Sequence, residues 1–360
     1  MKNPISVAFV LPDNNAGGAQ HVMRSFAAAL DPEKFRVDLI VICEAGGRGI
    51  ELPSSVRVTY LSGARLLAAL PKLIGKLREL KPDIVVSVMG YLNLAILASL
   101  PAHKARAIVR EANALSATKA AMPGWLPTDL LYRYLYPRAA AIIAPTSSIS
   151  RQIQAVVPKA TGISVIANPV DEASLRQRAN SSIRPPGKGL VVVGAGRLTA
   201  QKGFDRLVDL VPLLPADARL FIFGEGGDRD LLLQRVEARG LADRVFFPGY
   251  STDLPAIIAG ADVFVLPSRW EGLSNVALES LAVGTPVVAS VEASLEEVAR
   301  AAPAGAITIA PVGPSFAAAI AEIAVDQKRC SAPRPSLLPT SYRQVNAAGE
   351  FARLLERVAA

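Results

Sequence analysis

Ser268-Arg-Trp-Glu-Gly-Leu-Ser-Asn-Val-Ala-Leu-Glu-Ser-Leu-Ala-Val-Gly-Thr-Pro-Val-Val288 follows an apolar run, Val263–Leu266, that suits a buried strand. Within it, Glu271-Gly272-Leu273-Ser274-Asn275 reads as a turn opening into a helix. Gly284-Thr285-Pro286 then turns the chain into the next strand, Pro286–Ala289. Strand, helix and strand in so short a span make a βαβ unit, whose two strands run parallel. Glu279 falls in the first or second helical turn, eight residues after Glu271 on the loop. Backbone N–H groups at such a helix start favour a pyrophosphate. A carboxylate at Glu279 suits two vicinal ribose hydroxyls, and one at Glu271 suits the hydroxyls of a sugar.

The same alternation extends in both directions. Upstream within the second half, strands are expected at Leu190–Gly194, Leu220–Phe223 and Val245–Phe247, and downstream at Ile307–Ile309. The first half carries its own series: Ile5–Leu11, Val37–Ile42, Ile84–Met89, Ala107–Arg110, Ala141–Ala144 and Ile163–Ile166. Helical patterns such as Ala19–Leu30, Arg65–Leu80 and Ser147–Val156 lie between them. Two separate series of this kind imply an α/β protein with two doubly wound parallel sheets. The seam is expected at Asn180-Ser-Ser-Ile-Arg-Pro-Pro-Gly-Lys-Gly189, which is polar, rich in Pro and Gly, and without period. The expected organisation is a first domain at 1–172, a linker at 173–189, a second domain at 190–338 and a terminal segment at 339–360. That last segment has a helical pattern from Ser341 to Val358. Ligands of open α/β sheets bind at the carboxyl ends of the strands, so a cleft between two such edges is the expected site.

Composition narrows the function classes. Hydrophobic residues are 51% of the 360, enough for two cores. Two cysteines, Cys43 and Cys330, lack metal-like spacing and fit reduced thiols, and two histidines, His21 and His103, exclude a histidine-rich metal site. The run Ile5–Leu11 is short for a leader core and ends at Pro12-Asp13 as a strand would, and no stretch has the ~18 apolar residues of a membrane span. The expectation is a cytoplasmic protein, or one on the cytoplasmic membrane face. The net charge of +8 is uneven: residues 1–180 hold 21 Lys/Arg against 12 Asp/Glu, and the remainder is close to neutral. A basic first half is either a solvated surface or a face for an anionic partner, phospholipid headgroups or a phosphate-bearing acceptor. Nucleic acid is not expected, because no recognition motif accompanies the charge.

Four further segments carry chemistry. Gly194-Ala-Gly-Arg-Leu-Thr-Ala-Gln-Lys-Gly-Phe204 begins like a dinucleotide turn but has Thr199 in place of a third glycine. Its Arg197 and Lys202 suit a diphosphate better, one as a planar fork and one as a point charge. Phe223-Gly224-Glu225-Gly-Gly-Asp228 and Phe247-Pro-Gly249-Tyr250 end strands in glycine turns. Pro12-Asp-Asn-Asn-Ala-Gly17-Gly18-Ala-Gln20 joins the first strand to a helix, and its glycines permit close backbone approach to a phosphate.

Taken with Glu271 and Glu279, these segments resemble the retaining GT4 glycosyltransferases, glycosyl transferases group 1. The paired glutamates are similar to that family's E-x7-E signature, residues 196–203 to its G-R-x-x-x-x-K-G motif, and residues 17–20 to its G-G-x-E/Q loop. The resemblance implies the GT-B architecture: two Rossmann-like domains facing a central cleft, with a C-terminal helix crossing back to the first. It implies that Arg197 and Lys202 neutralise the departing nucleoside diphosphate. Gly17, Gly18, Gly224, Glu225, Gly249, Tyr250, Gly272, Leu273, Ser274, Asn275 and Glu279 would line the donor, and Glu271 would meet its sugar. It implies no cofactor and no obligatory metal. Val109-Arg-Glu-Ala-Asn-Ala-Leu115 stands where many relatives carry a histidine, and here Glu111 or Asn113 is expected to touch donor sugar or acceptor. Asn168 and Pro169, in a phrase similar to the family's N-G/P-V/I-D, are expected to shape the hinge.

The implied partners are a nucleotide-sugar donor, most simply a UDP-sugar, and a glycan or lipid-linked glycan acceptor from cell-surface polysaccharide synthesis. The segment 65–81 interleaves leucines with lysines and fits either a helix packed on the sheet or one lying on an anionic membrane. Trp125-Leu-Pro-Thr-Asp-Leu-Leu-Tyr-Arg-Tyr-Leu-Tyr136 suits an acceptor or plain core packing. Two other readings stay open: a sugar-nucleotide epimerase of the same fold, and a sugar-nucleotide-binding protein without catalysis.

Overall fold

The structure, a computed structural model, describes residues 3–14, 17–43, 52–61, 66–120, 122–124, 126–326 and 333–360. Arg65, Trp125 and Cys330 lie outside the described residues. The chain divides into two compact units, one made of Met1–Pro169 with Gln344–Ala360, the other of Val170–Arg343.

The first unit runs β1 (Ile5–Asp13), α1 (Gly18–Ala29), β2 (Phe35–Cys43), β3 (Val56–Tyr60), α2 (Leu66–Leu80), β4 (Ile84–Val88), α3 (Gly90–His103), β5 (Arg106–Arg110), α4 (Leu115–Ala120), α5 (Thr128–Leu135), β6 (Ala141–Ala144), α6 (Ser147–Val156) and β7 (Ile163–Val165). The second runs α7 (Glu172–Arg178), β8 (Val191–Ala195), α8 (Phe204–Leu210), β9 (Arg219–Phe223), α9 (Arg229–Ala238), β10 (Val245–Gly249), α10 (Leu254–Gly260), β11 (Val263–Leu266), α11 (Asn275–Ala282), β12 (Val287–Ser290), α12 (Glu296–Ala301), β13 (Ile307–Ala310) and α13 (Pro314–Asp326). The terminal helix α14 (Gln344–Ala359) belongs to the first unit.

Among the described residues the first sheet has the order β3-β2-β1-β4-β5-β6-β7 and the second β10-β9-β8-β11-β12-β13, every pairing parallel. Parallel strands need crossover helices, which cover both faces and make the strands apolar throughout. β1 shows the consequence. Val7, Phe9 and Leu11 pack into one cluster with α1 and α14, while Ala8 and Val10 pack into another with α2, α3 and α6. Phe351 of α14 stacks on Phe26 at 4.6 Å and tilts against Phe9 at 5.9 Å, so the terminal helix closes one face of the first sheet. The second sheet is covered on one face by α8, α9 and α13, through Phe204, Leu232 and Phe316.

Three differences from expectation have physical causes. β3 is an edge strand, and of its residues only Val56 is buried, so Val56-Arg-Val-Thr-Tyr60 lacks an apolar run; Arg57 instead pairs with Asp38 at 2.7 Å. The expected linker at 173–189 contains α7, capped by Asp171, whose carboxylate accepts from the Ser174 N–H at 3.0 Å. Arg176 of α7 donates to the carbonyls of Ala282 and Arg334, which ties the helix into the second unit and moves the seam to Pro169–Val170. The passage 339–343 likewise stays with the second unit, where Val170 bridges Arg343 in parallel. As for α2, Ala69, Leu73 and Leu77 pack on the first sheet, Lys76 pairs with Glu79, and Arg78 donates to the Ala102 carbonyl. Among the described residues no helix is long and apolar enough to cross a membrane.

Candidate functional site

In the second sheet β8 and β11 are neighbours, and the chain leaves them in opposite directions across the sheet. This is the topological switch point, where the loops part and leave a crevice at the carboxyl edge. Gly196–Gly203 follows β8, and Ser268–Ser274 follows β11, so the two segments with the most chemistry flank the switch point.

They are bonded to each other. Lys202 Nζ donates to Glu271 Oε1 at 2.5 Å, and the Ser268 hydroxyl donates to the same oxygen at 2.8 Å. Both side chains are largely withdrawn from water, at 14% and 6% exposure. The loops are knitted further by Arg269, whose guanidinium grips Asp205 at 2.8 and 2.6 Å, and by Gln201, which donates to the Trp270 carbonyl at 3.1 Å. Gly203 takes φ 65°, and a Cβ there would sit 2.2 Å from the Pro267 carbonyl oxygen, so only glycine lets the loops meet. Arg197 differs from Lys202: its side chain is exposed and has no ion-pair partner among the described residues.

The glycine turns after β9 and β10 join the same edge. Gly196 N–H bonds to Phe223 O, Leu198 N–H to Glu225 O, and Gly224 N–H to Gly249 O, each within 3.0 Å. Gly224, at φ 128°, brings its Cα so close to the Gly196 carbonyl that a Cβ would lie 2.0 Å from the oxygen. Glu225 is exposed and lies 3.8 Å from Arg229, and the Tyr250 ring is more than half exposed. Gly272, Leu273 and Ser274 are buried at the start of α11, with Asn275 half-buried. The Ser274 hydroxyl is closed off from solvent without a hydrogen-bond partner. Glu279 is half-buried, and burial pushes its carboxyl up from the ordinary range while the charge of Arg178 opposes the shift.

The chain also contains an Asp-x-Asp triplet, Asp228-Arg229-Asp230, at the start of α9. Among the described residues no group of three or more His, Cys, Asp or Glu side chains is placed to hold a metal ion.

The first sheet has its switch point between β1 and β4. Gly17 and Gly18 open α1 there, but Gly17 is extended at φ −69° and ψ 146°, a conformation open to any residue, and a Cβ would meet only the Gln20 side-chain amide, 2.4 Å from its oxygen. Gln20 Nε2 donates to Asp13 Oδ1 at 2.9 Å. His21 is half-buried in α1, and burial together with Arg24 lowers its pKa.

Glu111 is not at a surface at all: it is 0% exposed. Its Oε1 accepts from the hydroxyls of Tyr136 and Tyr132 and, at 3.4 Å, from Asn93 Nδ2. Burial drives its pKa up to about 7, although these donors and Arg110 pull it down. Arg110, also buried, donates to Asn168 Oδ1 at 2.7 Å and lies 5.9 Å over the Phe26 ring. Burial lowers its pKa to about 10. Asn113, two residues on, is half-buried in the turn before α4. The hinge residues of the sequence thus do different work: Asn168 receives Arg110, and Pro169 ends the first unit.

Asn93, Tyr132, Tyr136 and the Met89–Gly90 turn were not legible as site residues. Tyr132 and Tyr136 share one helical face, and a carboxyl buried at a strand end needs donors; that pairing was the available signal. Met89, at φ 74°, carries none.

Family models match along both units: Glycosyltransferase Family 4 over residues 16–174 and Glycosyl transferases group 1 over 176–335. The chain is 33% identical over 178 residues to the lipopolysaccharide core biosynthesis glycosyltransferase LpsE of Rhizobium meliloti, covering 49% of this chain and 51% of that one. To LpsD of the same organism it is 29% identical over 214 residues, 59% and 57% of the two chains. The chain thus spans about half the length of these curated relatives. The crystal structure of Anabaena HepE in complex with UDP and glucose has the same fold, with a TM-score of 0.75, 19% identity and coverage of 97% of this chain and 99% of that one. With two matching family models in tandem over nearly its whole length, the chain belongs to the family 4 glycosyltransferases, glycosyl transferases group 1, and has the GT-B fold.

Proposed function

We propose that the chain is a retaining glycosyltransferase that moves a sugar from a nucleoside diphosphate donor to a glycan or lipid-linked glycan precursor in cell-surface polysaccharide synthesis. The observation that carries the reading is the Lys202–Glu271 pair at the second switch point, with the exposed Arg197 on the same loop. Departure of the diphosphate is the demanding step, and fixed cations aimed at it stabilise the developing charge without reorganisation. In this reading Arg197 and Lys202 take the diphosphate, and Lys202 exchanges one anion for another. Glu271, released from Lys202, accepts hydrogen bonds from the sugar, and Glu279 accepts the ribose hydroxyls. The amides of Gly272–Asn275 add a helix-start anion site, and the turns at Gly224–Glu225 and Gly249–Tyr250 frame the base. Asn113 is the side chain left to assist at the sugar, since Glu111 is enclosed. UDP is the favoured nucleoside diphosphate because the HepE structure holds it. No metal or cofactor enters this scheme. The basic excess of residues 1–180 supports an acceptor bearing phosphate, or peripheral contact with an anionic membrane on its cytoplasmic face.

Calorimetric titration of UDP, GDP, ADP and NAD into the metal-free protein and its Glu279→Ala variant tests the donor site. One nucleoside diphosphate should bind, and the substitution should weaken it on the order of tenfold or more. Binding of NAD alone would sink the proposal.

A further inference from the structure

Glu271 has two anchors, and only one of them is on the loop that carries Lys202. Its Oε1 accepts from Lys202 Nζ at 2.5 Å and from the Ser268 hydroxyl at 2.8 Å. Ser268 is 0% exposed and stands two residues beyond the end of β11. Its own carbonyl accepts from the Ser290 hydroxyl at 2.6 Å, and Ser290, also buried, ends β12. β12 runs beside β11, with Ala289 level with Leu266, so the second anchor stands on the sheet itself. Buried serines elsewhere in the chain spend their hydroxyls on nearby carbonyls, Ser99 on that of Ile96 and Ser280 on that of Thr285. Ser268 spends its hydroxyl on a carboxylate.

The difference between the anchors matters when Lys202 changes partners. In the donor scheme a diphosphate takes the ammonium, and the largely buried carboxylate loses its charged donor. A carboxylate left out of water with no donor is strongly disfavoured and turns toward solvent, away from any fixed geometry. A hydroxyl that stays in place opposes this. Ser268 is a neutral donor, so the diphosphate has no charge by which to draw it off, and its backbone is held from a strand that the Lys202 loop does not touch through this bond. Both donors use Oε1. That oxygen can therefore stay tethered while Oε2 is turned to a sugar hydroxyl.

We propose that Ser268 is a positioning residue for the donor sugar: it holds Glu271 by Oε1 after Lys202 has turned to the diphosphate, so that Oε2 meets the sugar. This rests on the glycosyltransferase reading for the sugar, but the tether between Ser268 and Glu271 stands without it. Ser268 touches no ligand and acts only through Glu271.

The test is calorimetric titration of UDP, UDP-glucose, UDP-galactose and UDP-N-acetylglucosamine into the full chain and its variants. Wild type should bind UDP and at least one of the three UDP-sugars. Ser268→Ala should leave UDP affinity within about twofold and weaken that UDP-sugar about tenfold. Ser268→Thr, which keeps the hydroxyl, should recover most of the loss. In a Glu271→Met background Ser268→Ala should cost nothing further, a result that a merely structural serine would not give. Loss shared equally by UDP and the UDP-sugar, no loss at all, or loss that persists in Glu271→Met would each overturn the proposal. A ligand-free cycle removes the dependence on the donor. In the Lys202→Met background, urea unfolding of Ser268→Ala, Glu271→Met and their combination should show a coupling of about fivefold in the unfolding equilibrium, and no coupling would overturn the tether. Ser268→Cys, a weaker donor, takes the place of Ser268→Ala if that variant does not fold. If no UDP-sugar binds wild type, the UDP-sugar reading falls, and the ligand-free cycle alone decides whether Ser268 holds Glu271.

Discussion

Glu111→Gln changes one oxygen to an amide inside the first unit and should alter how stability depends on pH. The native carboxyl titrates at about 7 against an ordinary 4.5, because its burial outweighs the donors around it. Between these values the folded protein binds a proton that the unfolded chain has released. Stability from this group is therefore fully present below pH 4.5, declines as the pH rises, and is gone above about 7. The interval corresponds to about 3 kcal/mol, an upper figure because burial and hydrogen bonding are coupled here. The lowered pKa values of His21 and His103 act in the opposite sense, since the unfolded chain holds those protons longer. The wild-type curve alone is thus ambiguous, and the difference between wild type and Glu111→Gln isolates the carboxyl. Urea unfolding at half-unit steps from pH 4.5 to 8 should show the variant gaining on the wild type by about 2–3 kcal/mol, most steeply between about pH 5 and 6.5. Parallel curves would refute the reasoning: Glu111 would then titrate normally, and its enclosure by Tyr132, Tyr136 and Asn93 would not be what the structure describes.

Lys202→Met, Glu271→Gln and the double variant form a thermodynamic cycle. The buried pair should give a coupling of about 1–3 kcal/mol in urea unfolding, and a value near zero would mean the side chains do not meet. Phe351→Ala removes the ring that α14 stacks on Phe26 and should cost about 3–4 kcal/mol, read as a lower urea midpoint. Met89→Gly should relax the backbone at φ 74°, raising stability by up to about 1 kcal/mol after the loss of Met89 packing; clear destabilisation in thermal unfolding would count against a strained turn.

The sheets were readable because parallel strands buried on both faces must be apolar runs. Ala141–Ala144 and Val263–Leu266 fall where the sequence puts them, and most others agree within two residues. β3 escaped because an edge strand with four of five residues at least partly exposed needs no such run. The residues at the carboxyl edge of the second sheet were placed for a related reason: Arg197, Lys202 and Glu271 lie on loops and Glu279 on α11, in two segments whose glycines and spacing are local. The first unit is different. Asn93, Glu111 and the Tyr132–Tyr136 pair meet from α3, the turn after β5, and α5 with the turn after it, and no short stretch joins the three. The seam was misplaced because 173–178 looks like polar linker, whereas Asp171 caps it into a helix and Arg176 anchors it.

Two carboxylates singled out by the sequence, Glu271 and Glu111, are both buried, and their partners separate their roles. Glu271 is held by a lysine on a loop at the edge of the sheet. In the proposed donor scheme, an incoming diphosphate would offer that lysine more negative charge than the carboxylate does, and the exchange would leave Glu271 to accept hydroxyl hydrogens. Glu111 is held by two tyrosine hydroxyls and an asparagine that are themselves buried, and displacing it would leave the tyrosine hydroxyl protons without the acceptor they share. The first arrangement is poised to exchange ligands; the second is closed. Under the proposed function, assistance at the sugar from the first unit would fall to a side chain nearer solvent, Asn113. Glu111 helps hold Asn93 under the Met89–Gly90 turn, a structural part that needs the network closed.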